Sequence, residues 1–252
     1  MCEQGQHVGG VWGWRGVLGY IAPSVFAMLG EDFYQTVPEG VGLMAVTLGM
    51  NVPSSGSEVD GALAGVEQAA RQLAAGKPDF IFLGGLPLSV GSGFGHDREI
   101  IKRIEAAAGG IPATASITAA MDAFRALSIK KLVIANPSPP ELKKRYKEYL
   151  EASGFQVVNM GGPEIPLNCD KRKLPAHIPY LAAKKVYYEA PEADGIYMPC
   201  GSFNVTPAVV EALERDLGKP VVTSHQAFIW AGLKALKIKE PARGFGRLFQ
   251  TL

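Results

Sequence analysis

One stretch of this chain lies over another without a gap: Asp79-Phe80-Ile81-Phe82-Leu83-Gly84-Gly85 over Asp194-Gly195-Ile196-Tyr197-Met198-Pro199-Cys200. Internal similarity constrains a fold more than local propensity does, because each copy is one structural unit. The likeness continues past both segments. Each leads through a loop and helix to a matching element, Gly110-Ile111-Pro112 in one half and Gly218-Lys219-Pro220 in the other. The continuations pair Thr114 to Phe124 with Thr223 to Leu233, both read as helices opened by Ser or Thr. The starts match as well, Tyr20-Ile21-Ala22-Pro23-Ser24 resembling Val133-Ile134-Ala135-Asn136-Pro137-Ser138.

Short apolar runs alternate with helical stretches, the signature of βαβ units around a mostly parallel sheet. The predicted strands are Gly16 to Ala22, Leu43 to Leu48, Asp79 to Gly84, Pro112 to Ala115, Lys131 to Asn136, Gln156 to Met160, Asp194 to Pro199 and Pro220 to Thr223. Helix starts are expected at Ser138-Pro139-Pro140-Glu141, at Thr206-Pro207 and at Ser57, where a hydroxyl or a first-turn proline suits a helix N-terminus. The expected architecture is α/β. Two pseudo-symmetric Rossmann-like (flavodoxin-like) halves each carry a four-stranded, mostly parallel sheet flanked by helices, with the active-site cleft between them. The halves span 16–128 and 129–240, after an N-terminal extension over 1–15. The tail, 241–252, is expected to pack back on the first half.

With 25 basic and 24 acidic residues, the formal charge of +1 leaves no field to hold nucleic acid or an anionic membrane. A small molecule is the expected partner, with a homodimer possible. Polar residues Glu3, Gln4 and His7 open the chain, the wrong order for a secretory signal, and no apolar run reaches the roughly 20 residues of a spanning helix. Three cysteines, Cys2, Cys169 and Cys200, are scattered and odd in number, so reduced thiols and a cytoplasmic location are expected.

In open parallel sheets, ligands sit beyond the carboxyl ends of the strands. Gly85 and Cys200 then become counterparts on opposite walls of a cleft. Cys200 is followed by the small polar loop Gly201-Ser202-Phe203-Asn204 ahead of a helix start, a setting that lowers a thiol pKa. A buried structural cysteine is the competing reading. Gly85 opens a segment running to Gly93 that reads as a loop too glycine-rich for a helix. Its spacing fits neither a P-loop nor a dinucleotide fingerprint, and a bare backbone approaching a carboxylate suits it better. His96 and His225 are open to a catalytic reading, although lone histidines more often cap helices or sit in cores. No cluster has metal-ligand spacing and no cofactor is expected. Tyr146 and Tyr149 read as the packing face and solvated neighbours of their helix, and Cys169 as part of a polar connection.

These residues resemble the aspartate/glutamate racemase superfamily, within it the arylmalonate decarboxylase and maleate isomerase branch. The resemblance runs from Gly19 to Phe249. It is carried by Ile21-Ala22-Pro23-Ser24 with Pro38-Glu39-Gly40, the Gly84 to Gly93 segment, Thr114 with Thr118-Ala119, Cys200-Gly201, Thr223-Ser224 through Trp230, and the tail Gly244-Phe245-Gly246-Arg247-Leu248-Phe249. The racemases and isomerases carry a cysteine on each wall; the decarboxylases, like this chain, have glycine on the first.

The resemblance implies a cofactor-independent decarboxylase of a small substituted malonate-type acid. One carboxylate would be lost from apolar surroundings, and the enediolate left behind would be protonated by Cys200. The implied binding residues are Gly85, Leu86, Gly201, Ser202, Pro23, Ser24, Asn136 and Ser138, with Ser89, His225 and Thr118 as accessories. Departures from the pattern are Leu86-Pro87 in place of a Thr-Ser pair, Pro137 in place of a donor tyrosine, and Val25-Phe26 in place of an isomerase asparagine. Either Asn136, Ser138, Ser89 or Ser202 supplies the missing donor, or the substrate differs. Two other readings stand beside this one: a cis-trans isomerase or racemase using Cys200 as nucleophile or base, and a binding protein that kept the cleft without the chemistry.

Overall fold

The computed structural model describes residues 12–25, 29–52, 56–165, 167, 170, 173–199, 203, 205–240 and 246–252. Cys200, Gly201 and Ser202 lie outside these residues, as do Cys2 and Cys169. All eight expected strands are present: β1 (Gly16–Ala22), β2 (Val41–Thr47), β3 (Phe80–Leu83), β4 (Ala113–Ala115), β5 (Lys131–Ala135), β6 (Gln156–Gly161), β7 (Gly195–Met198) and β8 (Val221–Thr223). They form two four-stranded sheets with the same order, β2-β1-β3-β4 and β6-β5-β7-β8, and every pairing is parallel. The inner strands β3 and β7 are buried along their whole length, which is why they read as continuous apolar runs rather than alternating ones.

Two aspartates mark the repeat. The Asp79 carboxylate accepts the N–H of Val17 at 2.8 Å, and the Asp79 N–H donates to the Val17 carbonyl at 2.8 Å. Asp194 does the same with Lys131, again at 2.8 Å in both directions. The Lys131 N–H, foremost among its contacts, holds the Asp194 carboxyl below its ordinary range. From these anchors the registers run together, Leu18 beside Phe80 and Leu132 beside Gly195. Counting forward, Ala22, Pro23 and Ser24 correspond to Asn136, Pro137 and Ser138, and Gly85 corresponds to Cys200.

The register corrects one pairing. Leu83 lies beside Ala115 and Met198 beside Thr223, so the counterpart of Thr223 is Ala115, not Thr114. Thr223 caps its helix through a full capping box with Gln226, whereas Ala115 has no side chain to do so.

Among the described residues the helices are α1 (Leu29–Thr36), α2 (Gly56–Ala75), α3 (Leu86–Val90), α4 (His96–Ala107), α5 (Ser116–Ala126), α6 (Pro140–Ala152), α7 (His177–Tyr188), α8 (Pro207–Leu217) and α9 (Ser224–Ala235), with a 3-10 helix over Arg247–Thr251. The segment after Gly85 is therefore helical for five residues, contrary to the reading of a plain loop. Its glycines flank the helix, and Pro87 sits in the first turn, where a missing N–H costs nothing. Two expected caps are also corrected. The residue before α6 is Pro139, whose side chain has no acceptor to cap the helix. Ser57 lies inside α2, which begins at Gly56.

The last helix of each repeat covers the other repeat's sheet. On α9, Phe228 stacks on Phe82 of β3 at 4.2 Å and on Tyr20 of β1 at 5.6 Å between ring centroids. Gly232, one turn on, lies so close to β1 that a Cβ there would fall 2.4 Å from Leu18 Cδ1. Helix α9 thus runs down β1 from its carboxyl end. Reciprocally, Phe124 of α5 meets Tyr197 of β7 at 5.0 Å and Phe155, just before β6, at 5.3 Å. The boundary near residue 128 separates two repeats of sequence but not two packing units, and one apolar core runs through both. The tail bonds to the second repeat, Arg247 N–H to the Glu214 carboxylate at 2.9 Å and Thr251 Oγ1 with Trp230 Nε1 at 3.0 Å, and also packs on α5 of the first.

Candidate active site

Both exchanged helices start at the carboxyl end of a strand in one sheet and run down the other, so the carboxyl edges of the two sheets adjoin. Pro23, Ser24, Gly85 and Leu86 follow strands at the carboxyl edge of the first sheet, Asn136 and Ser138 follow β5 at the carboxyl edge of the second, and His225 lies in the first turn of α9. Helix α5 and helix α9 both begin at this junction, and a helix N-terminus favours negative charge. A small acid suits the place.

Gly85 takes φ of +91°, and a Cβ there would lie 2.9 Å from Pro23 Cβ. The position therefore accepts only glycine without strain, for reasons of both conformation and space. Its N–H and that of Leu86 have no backbone acceptor among the described residues. The Gly85 carbonyl is taken up by the N–H groups of Leu88 and Ser89 and by the Ser89 hydroxyl at 3.1 Å. Ser89 is thereby committed to its own helix rather than to the cleft.

On the second wall, Asn136 is buried and its Oδ1 accepts the Ser138 N–H at 2.7 Å. Its own N–H continues the sheet onto the Gly161 carbonyl at 2.8 Å. Tyr197 faces α5, Ile134 lies beside Tyr197, and the two-residue period of a strand carries Asn136 to that same inter-repeat face. The Asn136 Nδ2 has no hydrogen-bond partner among the described residues, and neither has the buried hydroxyl of Ser224 at the start of α9. Lys143 reaches across from α6 to the Gly162 carbonyl at 3.1 Å, and burial lowers its pKa from the ordinary range.

Thr118 turns away from the cleft. Its hydroxyl donates to the buried Asp97 carboxylate at 2.6 Å, and the other carboxylate oxygen receives the phenol of Tyr149. Tyr146 and Tyr149 are both buried, so neither is a solvated neighbour. The link from α4 and α5 to α6 was missed in sequence; its signal was an aspartate in the first turn of an otherwise amphipathic helix. His96, beside Asp97, is buried beyond α3, with Nδ1 4.0 Å from the Glu99 carboxylate. No group of three or more His, Cys, Asp or Glu among the described residues forms a metal site, and no described helix is long and apolar enough to cross a membrane.

Comparison with known proteins agrees with this geometry. The arylmalonate decarboxylase of Bordetella bronchiseptica is 26% identical over 239 residues, spanning 92% of this chain and 95% of the relative. A maleate isomerase of Pseudomonas putida is 28% identical over 188 residues, spanning 72% of this chain and 74% of its own. The crystal structure of a liganded glycine-to-cysteine, cysteine-to-serine double mutant of arylmalonate decarboxylase superposes with a TM-score of 0.87 at 23% identity, covering 94% of this chain and all of that one. The family model described as arylmalonate decarboxylase matches residues 18–249, from the first residues of β1 to the terminal 3-10 helix, and on that span the chain belongs to the arylmalonate decarboxylase family.

Proposed function

We propose that the protein decarboxylates a small substituted malonate-type acid without a cofactor, with Cys200 as the proton donor. The observation that carries this reading is Gly85: it aligns with Cys200 in the sequence repeat, and its positive φ and the adjacent Pro23 strain any side chain placed there. A cleft with one acid protonates a carbanion from one face and cannot run a two-base exchange.

The substrate's leaving carboxylate gives up its carbon–carbon bond as CO2, and the electron pair stays on the α-carbon. The remaining carboxylate spreads that pair over its two oxygens, so no external electron sink is required. N–H groups near Gly85, Leu86, Gly201 and Ser202 hold the enediolate oxygens, the physics of an oxyanion hole. The Cys200 thiol then passes its proton to the α-carbon, and the thiolate recovers one from water. A cis-trans isomerase reading is supported by the likeness to maleate isomerase, with Cys200 adding to the double bond.

Purified protein is offered phenylmalonate and maleate in deuterated water, and products are followed by NMR. Loss of CO2 with deuterium at the α-carbon, reduced about 10²- to 10⁴-fold in Cys200→Ser, is the expected result. Fumarate from maleate with phenylmalonate untouched would replace the decarboxylase by the isomerase.

A further inference from the structure

We propose that the side-chain amide of Asn136 is the carboxylate donor of the cleft, standing where the decarboxylase pattern has lost its hydroxyls. The assignment rests on the acid chemistry proposed above and specifies which side chain binds the acid. Of the side chains able to fill the gap, Ser89 is spent on the Gly85 carbonyl. Ser138 contributes its backbone N–H to Asn136 Oδ1. That bond fixes which end of the amide is oxygen, so the end left over is the NH2.

The NH2 is buried, with Asn136 only 1% exposed, and has no partner among the described residues. Buried N–H groups are paired almost without exception, so this one calls for an acceptor. The fold itself does not require a polar group there, because the corresponding position in the first repeat is Ala22, also buried. Strand alternation turns Asn136 to the inter-repeat face, toward the start of α5, where the helix dipole also favours an anion. A group offering two donors and no acceptor, beside a positive dipole end, matches an ionised carboxylate. Asn136 follows β5, and β5 pairs with β7, the strand that precedes Cys200 in the sequence.

The test uses the whole chain carrying Cys200→Ser, so that ligand persists, and measures binding of phenylmalonate and of maleate by calorimetry. Asn136→Asp is nearly isosteric and keeps an acceptor for the Ser138 N–H, but sets a carboxylate against the ligand. For whichever dicarboxylate binds, affinity is expected to fall about 100-fold at pH 8 and to recover partly toward pH 5. Asn136→Leu is expected to weaken binding about tenfold, with no dependence on pH of its own. Thermal unfolding of each variant separates this outcome from a merely structural role, which would lower the melting temperature and leave affinity unchanged. The assignment is overturned if neither dicarboxylate binds, or if one binds as tightly after Asn136→Asp as before. If binding depends on Asn136 but the enzyme with Cys200 intact releases no CO2, the decarboxylase reading fails and the carboxylate site stands.

Discussion

The phenol of Tyr149, from the second repeat, donates its hydrogen bond to the buried carboxylate of Asp97, from the first. With Thr118 on the other oxygen, Asp97 ties three helices of two repeats at one point. Tyr149→Phe leaves that carboxylate one donor short and is expected to cost about 1–3 kcal/mol, read from urea denaturation. Burial first, and the bond to Asp97 second, raise the Tyr149 pKa well above the ordinary 10. The folded chain thus holds this proton more tightly than the unfolded chain does. The resulting stability is whole below pH 10 and is lost as pH rises through the folded value. The gap between wild type and Tyr149→Phe should therefore narrow above pH 10, and a gap that stays constant there would refute the assignment.

Restoring a cysteine to the first wall is expected to strain this backbone. Gly85→Cys places a Cβ 2.9 Å from Pro23 Cβ at a φ of +91°. Strain of this kind costs about 1–3 kcal/mol. Gly85→Ala should show the same loss in denaturation midpoint, since the cause is the Cβ and not the thiol. A Gly85→Cys protein of native stability that racemises its product would show that the loop relaxes freely.

Each exchanged aromatic supports the sheet of the opposite repeat. Phe228→Ala and Phe124→Ala are each expected to cost about 3–5 kcal/mol. Because the helices are shared, calorimetry should show one transition moving as a whole in both variants. Two separating transitions would mean that the repeats fold independently.

The strands and the repeat were legible in sequence because buried parallel strands are short apolar runs and because Asp79 and Asp194 keep the same backbone clamp. Gly85 opposite Cys200 followed from that alignment alone, and the strand registers reproduce it as far as Phe82 and Tyr197. The helix exchange was not legible: periodicity shows that α5 and α9 have apolar faces, but not which sheet each face meets. The short α3 was misread because glycine content was weighed without its position, and the glycines lie at the ends of the helix. Asn136 was one of four possible donors in sequence. Only the direction of its neighbour's N–H, invisible in the string of residues, distinguishes it.

The exchange of α5 and α9 also sets an order on how this protein comes into being. Translation delivers β1 to β4 long before Phe228 exists to cover Tyr20 and Phe82. The leading repeat must wait, with its aromatic face open to water and to neighbouring chains, until the second repeat has been made. That interval is when a nascent chain of this design most needs a chaperone.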